Sequence, residues 1–149
     1  MALWLSLIAA ILVVIASAAG IVSTDTYVRE TSSGAIQGMS QDIVNLVAVT
    51  ILLISAYFVN RGSIKAFLVW SGVLIYLVYT YTIYAFAVHY NRLFLLYVAI
   101  LGLSLYALVV TVVTPHLDRL APIVALTTKA RPVSVFFGVV ALLFYGQWL

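Results

Sequence analysis

The stretch LFLLYVAILGLSLYALVVTVVT, residues 93–114, runs for 22 positions without a single charged side chain. As an α-helix it would be about 33 Å long at 1.5 Å per residue, which is enough to cross a hydrocarbon core of about 30 Å. A second uncharged stretch, LWLSLIAAILVVIASAAGIV, occupies residues 3–22 near the start of the chain. Both stretches predict transmembrane α-helices.

The composition of the whole chain is typical of an integral membrane protein. Of its 149 residues 66% are hydrophobic and 7% are charged, whereas an ordinary soluble domain carries about 25% charged residues. Cysteine is absent, which excludes disulfides, thiolate metal sites and cysteine nucleophiles. The basic residues are scattered rather than clustered, so we expect no nucleic-acid partner.

These patterns predict an all-α, polytopic transmembrane helix bundle of about five spans, forming a single transmembrane domain over residues 1–149. Ala16-Ser17-Ala18 is similar to a signal-peptide cleavage site, but no Lys or Arg precedes the apolar run, so we expect an uncleaved anchor helix. The fifth span is shorter than the others, at 17 residues. The predicted spans are approximately 3–22, 43–59, 64–88, 93–114 and 133–149.

The connections between the predicted spans differ in length. Residues 23–42 form a long polar connection, in which Ser40 is the expected cap of the second helix. Residues 60–62 and 89–92 are tight turns, which make the second, third and fourth helices antiparallel neighbours. In the last connection, the apolar residues of 117–126 are expected to lie on the membrane surface.

Basic residues in the connections predict the orientation of the chain. Five of them fall on one side of the membrane and two on the other, where the acidic residues of the first connection also lie. We therefore expect a multi-pass protein of the cell membrane with a cytoplasmic N-terminus. The five are Arg61, Lys65, Arg119, Lys129 and Arg131, and the two are Arg29 and Arg92.

The interiors of the five predicted spans lack Asp, Glu, Lys, Arg and His. Ionisable groups inside the bilayer usually mark catalysis and ion transport, so their absence argues against a proton relay, an ion-coupled carrier and a membrane protease. His89 and His116 lie about 30 Å apart at opposite ends of the fourth span and cannot hold one haem. We expect no enzyme, no catalytic residue, no metal and no cofactor.

The third span is rich in tyrosine. At about 100° per residue Tyr76, Thr80 and Tyr84 share one face, and Tyr79 flanks it. The pattern has two interpretations: an aromatic belt with helix packing, or a pocket for a flat amphipathic molecule such as a quinone or a lipid headgroup. We expect the deeper Tyr76 and Tyr79 to face protein, ligand or water, and Tyr84 to lie at the membrane interface. With Asn45 of the second span, these four form the candidate ligand or partner face.

The middle third of the chain resembles a family of uncharacterised prokaryotic multi-span membrane proteins. The signature of that family, RGS…W.G…Y..Y…Y.F…N.LFLLY, is matched from Arg61 to Tyr97. The resemblance supports the helix count and implies that longer members continue with further spans, so that this chain would be a shortened version. It implies no activity.

The favoured functional hypothesis is a non-catalytic accessory or structural subunit of a larger membrane complex, with a respiratory or other energy-converting assembly as the expected host. Its partners would be membrane lipids and other membrane subunits. One alternative is a small carrier or channel for a neutral solute. The other is a quinone- or lipid-binding module that uses the tyrosine face of the third helix.

Overall fold

The structure is a computed structural model that describes residues 1–23 and 25–113, with positions 135 and 142. Four long apolar helices account for most of these residues. Each is long and apolar enough to cross a membrane, which confirms the all-α, polytopic class. The predicted fifth span, the surface segment at 117–126 and His116 lie outside the described residues, except for those two positions. The helices are α1 Ala2–Val22, α2 Ser32–Asn60, α3 Ile64–Phe86 and α4 Phe94–Val113.

The four helices form a closed ring within the compact unit Met1–Thr114. Each helix packs against its neighbours in sequence, and α4 also packs against α1. Side-chain contacts join Asp42 to Tyr84 and Asn45 to Tyr76, so α2 and α3 run antiparallel, as the tight turn between them predicts. One end of the bundle carries the connections 23–31 and 87–93. We call it the His89 end, and the opposite end the Arg61 end.

Helix α2 begins at Ser32, well before the predicted start at residue 43. The hydroxyl of Thr31 accepts a hydrogen bond from the Gly34 amide at 3.1 Å and caps the helix. Ser40, the expected cap, lies inside the helix instead. The polar residues before 43 are helical because they pack against protein: a Cβ at Gly38 would lie 2.6 Å from the Tyr27 ring.

The turn between α2 and α3 is short and well defined. Gly62 has φ +83, a left-handed conformation that residues with a Cβ rarely adopt. The Ser63 hydroxyl then caps α3 by accepting from the Ala66 amide at 3.3 Å. The Arg61 guanidinium lies 4.5 Å from the centre of the Tyr57 ring, a cation–π contact. These local contacts fix the antiparallel reversal.

The core is built from large side chains of α3 and α4 packed against small side chains of α1. Trp70 is fully buried, and its indole N–H donates to the Ser6 hydroxyl at 3.2 Å. Small residues allow close approach of helix backbones, and Ala16 and Gly20 lie on the buried face of α1. The largest buried side chains that share this core are Trp70, Tyr81, Tyr97, Leu52, Leu74, Leu77 and Ile100.

Candidate functional site

The face of α3 that carries Tyr76, Thr80 and Tyr84 packs towards α2. The Tyr76 hydroxyl donates to Asn45 Oδ1 at 2.8 Å and accepts from Gln41 Nε2. Asn45 is fully buried, and its Nδ2 group has no hydrogen-bond partner among the described residues. The structure therefore joins two predicted site residues from different helices, and adds Gln41, which the sequence did not single out.

A cavity of about 340 Å³ opens between α2 and α3 near the His89 end. Four of the five predicted site residues line it: Tyr76, Tyr79, Thr80 and Tyr84. Asn45 lies behind Tyr76 and does not line the cavity. We call this space the α2–α3 cavity.

The opposite wall of the α2–α3 cavity comes from residues that were predicted to be a loop. Gln37, Gly38 and Gln41 of α2 line it, together with Tyr27 and Glu30 of the first connection. These residues supply amide donors and acceptors opposite the aromatic rings of α3. The early start of α2 thus creates half of the site.

Two tyrosines of this face differ in burial. Tyr79, which we expected to face protein, ligand or water, is 57% exposed at the outer edge of the cavity, and Tyr84, which we expected near the membrane interface, is 4% exposed. Tyr84 turns inward because its hydroxyl binds the Gly38 carbonyl and the Asp42 carboxylate, each at 3.1 Å. Its ring also stacks on Tyr97 with centroids 5.0 Å apart.

Asp42 is the functional candidate that sequence reasoning missed. We predicted that the second span begins at residue 43 and placed Asp42 in the connection before it, whereas Asp42 lies inside α2 and is 1% exposed. Its Oδ2 accepts from the Tyr27 hydroxyl at 2.6 Å and its Oδ1 from Tyr84. A signal was present in the sequence: Asp42 extends the helical spacing of the buried positions Asn45, Val49 and Leu52.

Asp42 lies near the edge of the apolar layer rather than at its middle. Its partner Tyr84 is two residues from the end of α3, and Gly20, which contacts the Asp42 carboxylate, is two residues from the end of α1. Tyr27 folds back from the first connection to cover it. Burial, followed by the hydrogen bond to Asp42, raises the pKa of Tyr27 far above its ordinary value, so this hydroxyl keeps its proton.

Further polar atoms lie in the interior beside Asp42. The Ser17 hydroxyl lies close to Asp42 and Tyr81 without meeting hydrogen-bond geometry to either. Buried polar atoms without partners are rare, and each costs roughly 1–3 kcal/mol unless water or a ligand meets it. The hydroxyls at this level and in α4 that find no partner within residues 1–23 and 25–113 are those of Ser17, Tyr81, Tyr97 and Ser104.

The connections at the His89 end hold each other in place. Glu30 Oε1 accepts from the His89 amide at 2.8 Å and lies 3.0 Å from His89 Nδ1. These contacts, the amide first, lower the pKa of Glu30, so this carboxylate is ionised at neutral pH. Beside them a second cavity of about 470 Å³ is lined in part by Asp25, Arg29 and Arg92.

The helices and the site define the class of the protein: a multi-pass helical membrane protein with an aromatic, amide-lined cavity and a buried carboxylate at one end. No family model, curated protein or solved structure matches the chain. Its resemblance to the uncharacterised prokaryotic family stays a prediction. The function is therefore argued from the site.

Proposed function

We propose that the protein is a non-catalytic protein of the cell membrane that binds the neutral headgroup of a flat amphipathic molecule, a quinone or a lipid, in the α2–α3 cavity. The observation that carries the proposal is the lining of this cavity, where the tyrosines of α3 face the amides of α2. Its volume, about 340 Å³, falls in the lower part of the range for small-molecule sites.

The polar groups of the cavity can pair with a headgroup that accepts hydrogen bonds and with one that donates them. Gln37 and Gln41 carry amide groups with both functions, and Thr80 adds a hydroxyl. The charged residue on the lining is Glu30, which is ionised and would repel an anion. A neutral carbonyl or hydroxyl headgroup fits this chemistry better than a phosphate.

The outer edge of the cavity suits an apolar tail. Tyr79 and Ile83 are more than 40% exposed on the outward side of α3, where a membrane helix meets lipid. A ligand held by its headgroup near Thr80 could leave its tail between these side chains and the surrounding acyl chains. Tyr79 then serves as a flat contact surface whose hydroxyl reaches the interface.

Thr80→Val should weaken binding of a short-chain ubiquinone about tenfold, because it removes a hydroxyl from the cavity wall without changing its shape. Thr82→Val is the matched control, since Thr82 is exposed on another face of α3 and its hydroxyl bonds the Val78 carbonyl. Equilibrium dialysis of the labelled quinone against detergent-solubilised protein measures both.

Ala87→Trp gives a second test of the same site. Ala87 is an exposed residue on the cavity lining, so an indole there should block binding while leaving the core intact. Equal affinity in wild type, Thr80→Val and Ala87→Trp would exclude the α2–α3 cavity as the quinone site. A neutral diacylglycerol that binds in place of the quinone would assign the site to a lipid.

A second candidate function is the accessory or structural subunit of a larger membrane complex, with an energy-converting assembly as a possible host. It is favoured by small residues on the outside of the four helices: Gly72 and Gly102 are exposed, with no atom of the described residues within 4 Å of a Cβ built on them. Such positions allow a partner helix to approach closely. Purification from native membranes in mild detergent tests this, and a monomer without partners would rule it out.

A carrier or channel for a neutral solute is less well supported than a binding site. Such a protein needs a path across the membrane, whereas the α2–α3 cavity lies at one end of the bundle. Towards the Arg61 end the core is filled by Trp70, Leu74 and Leu77, all fully buried. This packing favours binding over passage.

We propose that the N-terminus is cytoplasmic and that the His89 end faces outward, because more basic residues lie in the connections of the other side. The absence of cysteine permits a direct test with single substitutions at exposed positions. Ser33→Cys should react with a membrane-impermeant maleimide in intact cells, and Asn60→Cys should react only after lysis. The reverse pattern would invert the topology.

A further inference from the structure

Asp42 is buried, and the part of the chain that the structure describes offers its carboxyl group no cationic partner. Within residues 1–23 and 25–113 an ion pair joins Glu30 to His89, and no Lys, Arg or His bonds to Asp42. Buried carboxylates are normally paired with a cation or neutralised. The polar and titratable groups that face Asp42 come from α1, the first connection, α3 and α4, and they are Ser17, Tyr27, Tyr76, Tyr81, Tyr84 and Tyr97.

The short oxygen–oxygen contacts around Asp42 can be compared with the number of protons available to form hydrogen bonds in them. Tyr27 lies 2.6 Å from Asp42 Oδ2, and Tyr84 lies 3.1 Å from both Asp42 Oδ1 and the Gly38 carbonyl. Each of these three contacts needs one proton. The two tyrosine hydroxyls supply two, so an ionised Asp42 leaves one contact between bare acceptors.

A proton on Asp42 satisfies all three contacts. Tyr27 then donates to Oδ2, the Oδ1–H group donates to the Tyr84 hydroxyl, and Tyr84 donates to the Gly38 carbonyl. The longer Tyr27–Tyr84 contact at 3.4 Å needs no proton in this arrangement. The result is a continuous chain of donors that runs from Tyr27 to the backbone of α2.

We propose that Asp42 is a proton-binding site that is occupied at neutral pH and exchanges its proton with the α2–α3 cavity. Tyr84 lines that cavity, so it can pass its own hydroxyl proton to water there while it takes the proton of Asp42. The net step is R–COOH + H₂O → R–COO⁻ + H₃O⁺. The proposal does not depend on a ligand in the cavity.

Infrared spectroscopy tests the proposal on the full chain in lipid vesicles. Wild-type protein at pH 7 should show the carbonyl stretching band of a protonated carboxylic acid, and Asp42→Asn should lack it. Asp25→Asn is the matched control, since Asp25 is an exposed residue of the first connection, and it should retain the band. Tyr84→Phe should shift the band, because the acid loses its hydrogen-bond acceptor.

Stability gives a second measurement that does not depend on spectral assignment. If the folded bundle holds one proton more than the unfolded chain, its unfolding constant should rise by up to tenfold per pH unit from about pH 4, where an unfolded aspartate ionises, to the pH at which Asp42 ionises in the bundle. In Asp42→Asn this dependence should disappear, and the variant should be more stable than wild type at pH 7, because a carboxamide donates and accepts like a neutral acid in the fold but cannot ionise in the unfolded chain. Unfolding by sodium dodecyl sulfate, followed by circular dichroism, measures both.

Three results would overturn the proposal. One is the absence of any carboxylic acid band that Asp42→Asn removes. Another is an identical pH dependence in wild type and Asp42→Asn. The third is stabilisation of wild type, but not of Asp42→Asn, by sodium at constant ionic strength, which would assign the neutralising partner to a bound cation.

Discussion

Trp70→Ala should destabilise the bundle by about 3 kcal/mol. Trp70 is the largest fully buried side chain of the described core, and replacing a buried aromatic residue by alanine costs roughly 3–5 kcal/mol in soluble proteins. We expect the lower end of that range because lipid is as apolar as the core, so that lost packing rather than transfer from water sets the cost. The indole N–H that bonds Ser6 is lost as well.

Trp4→Ala is the matched control for this experiment. Trp4 is 70% exposed on α1, so the same substitution should change the free energy of unfolding by less than about 0.5 kcal/mol. Unfolding in sodium dodecyl sulfate, followed by circular dichroism, compares the two variants with wild type. Equal losses for Trp4→Ala and Trp70→Ala would show that Trp70 does not occupy the core described above.

Gly20→Ala should cost about 1–3 kcal/mol, the usual penalty for an extra methyl group in a packed core. A Cβ at Gly20 would collide with the Asp42 carboxylate and lie 3.1 Å from the Tyr27 hydroxyl. The carboxylate cannot move away cheaply, since both its oxygens are held by tyrosine hydroxyls. The same unfolding measurement should also report a weaker pH dependence as the Asp42 contacts separate.

Gly102→Ala provides the matched control for Gly20→Ala. Gly102 lies in α4, and no atom of the described chain lies within 4 Å of the added carbon, so this change should be neutral or stabilise by up to about 1 kcal/mol through helix propensity. A loss at Gly102 as large as that at Gly20 would instead point to a partner on the outside of the bundle. That outcome would favour the accessory-subunit hypothesis.

The helices were predictable because the bilayer leaves few other solutions. Backbone polar groups have no water partners in hydrocarbon, so uncharged stretches as long as residues 3–22 and 93–114 must be helical. The tight turn at Arg61 and Gly62 was also predictable, because a short polar break between two apolar runs forces the two helices to pack antiparallel. Local composition determines both features.

The start of α2 was not predictable from composition. Residues 32–42 are polar enough to read as a connection, and two glycines, Gly34 and Gly38, weaken any local preference for helix. The helix persists there because Tyr27 and Tyr84 pack against Gly38. That tertiary contact joins residues far apart in sequence, and it is also what brings Asp42 into the interior.

The tyrosine face of α3 was predicted from the sequence, whereas the burial of its individual tyrosines was not. Helical periodicity placed Tyr76, Thr80 and Tyr84 on one face, because that geometry depends on α3 alone. Periodicity could not distinguish the buried Tyr84 from the exposed Tyr79, because their surroundings depend on where α2 begins. A correct start for α2 would have predicted a partner for Tyr84 and hence its burial.

Helix α2 is longer than its neighbours, and this difference affects how a ligand would reach the cavity. Ten residues precede Asp42 in α2, whereas α3 ends two residues after the contacting Tyr84, so α2 extends about 12 Å further along its axis. The cavity therefore has a longer wall on α2 and a shorter wall on α3 at the His89 end. Under the proposed function, an amphiphile that enters over the shorter wall from the surrounding leaflet would meet the site at its concentration in the membrane rather than in water. A site of modest intrinsic affinity would then be occupied, because partitioning into the membrane raises the local concentration of the amphiphile.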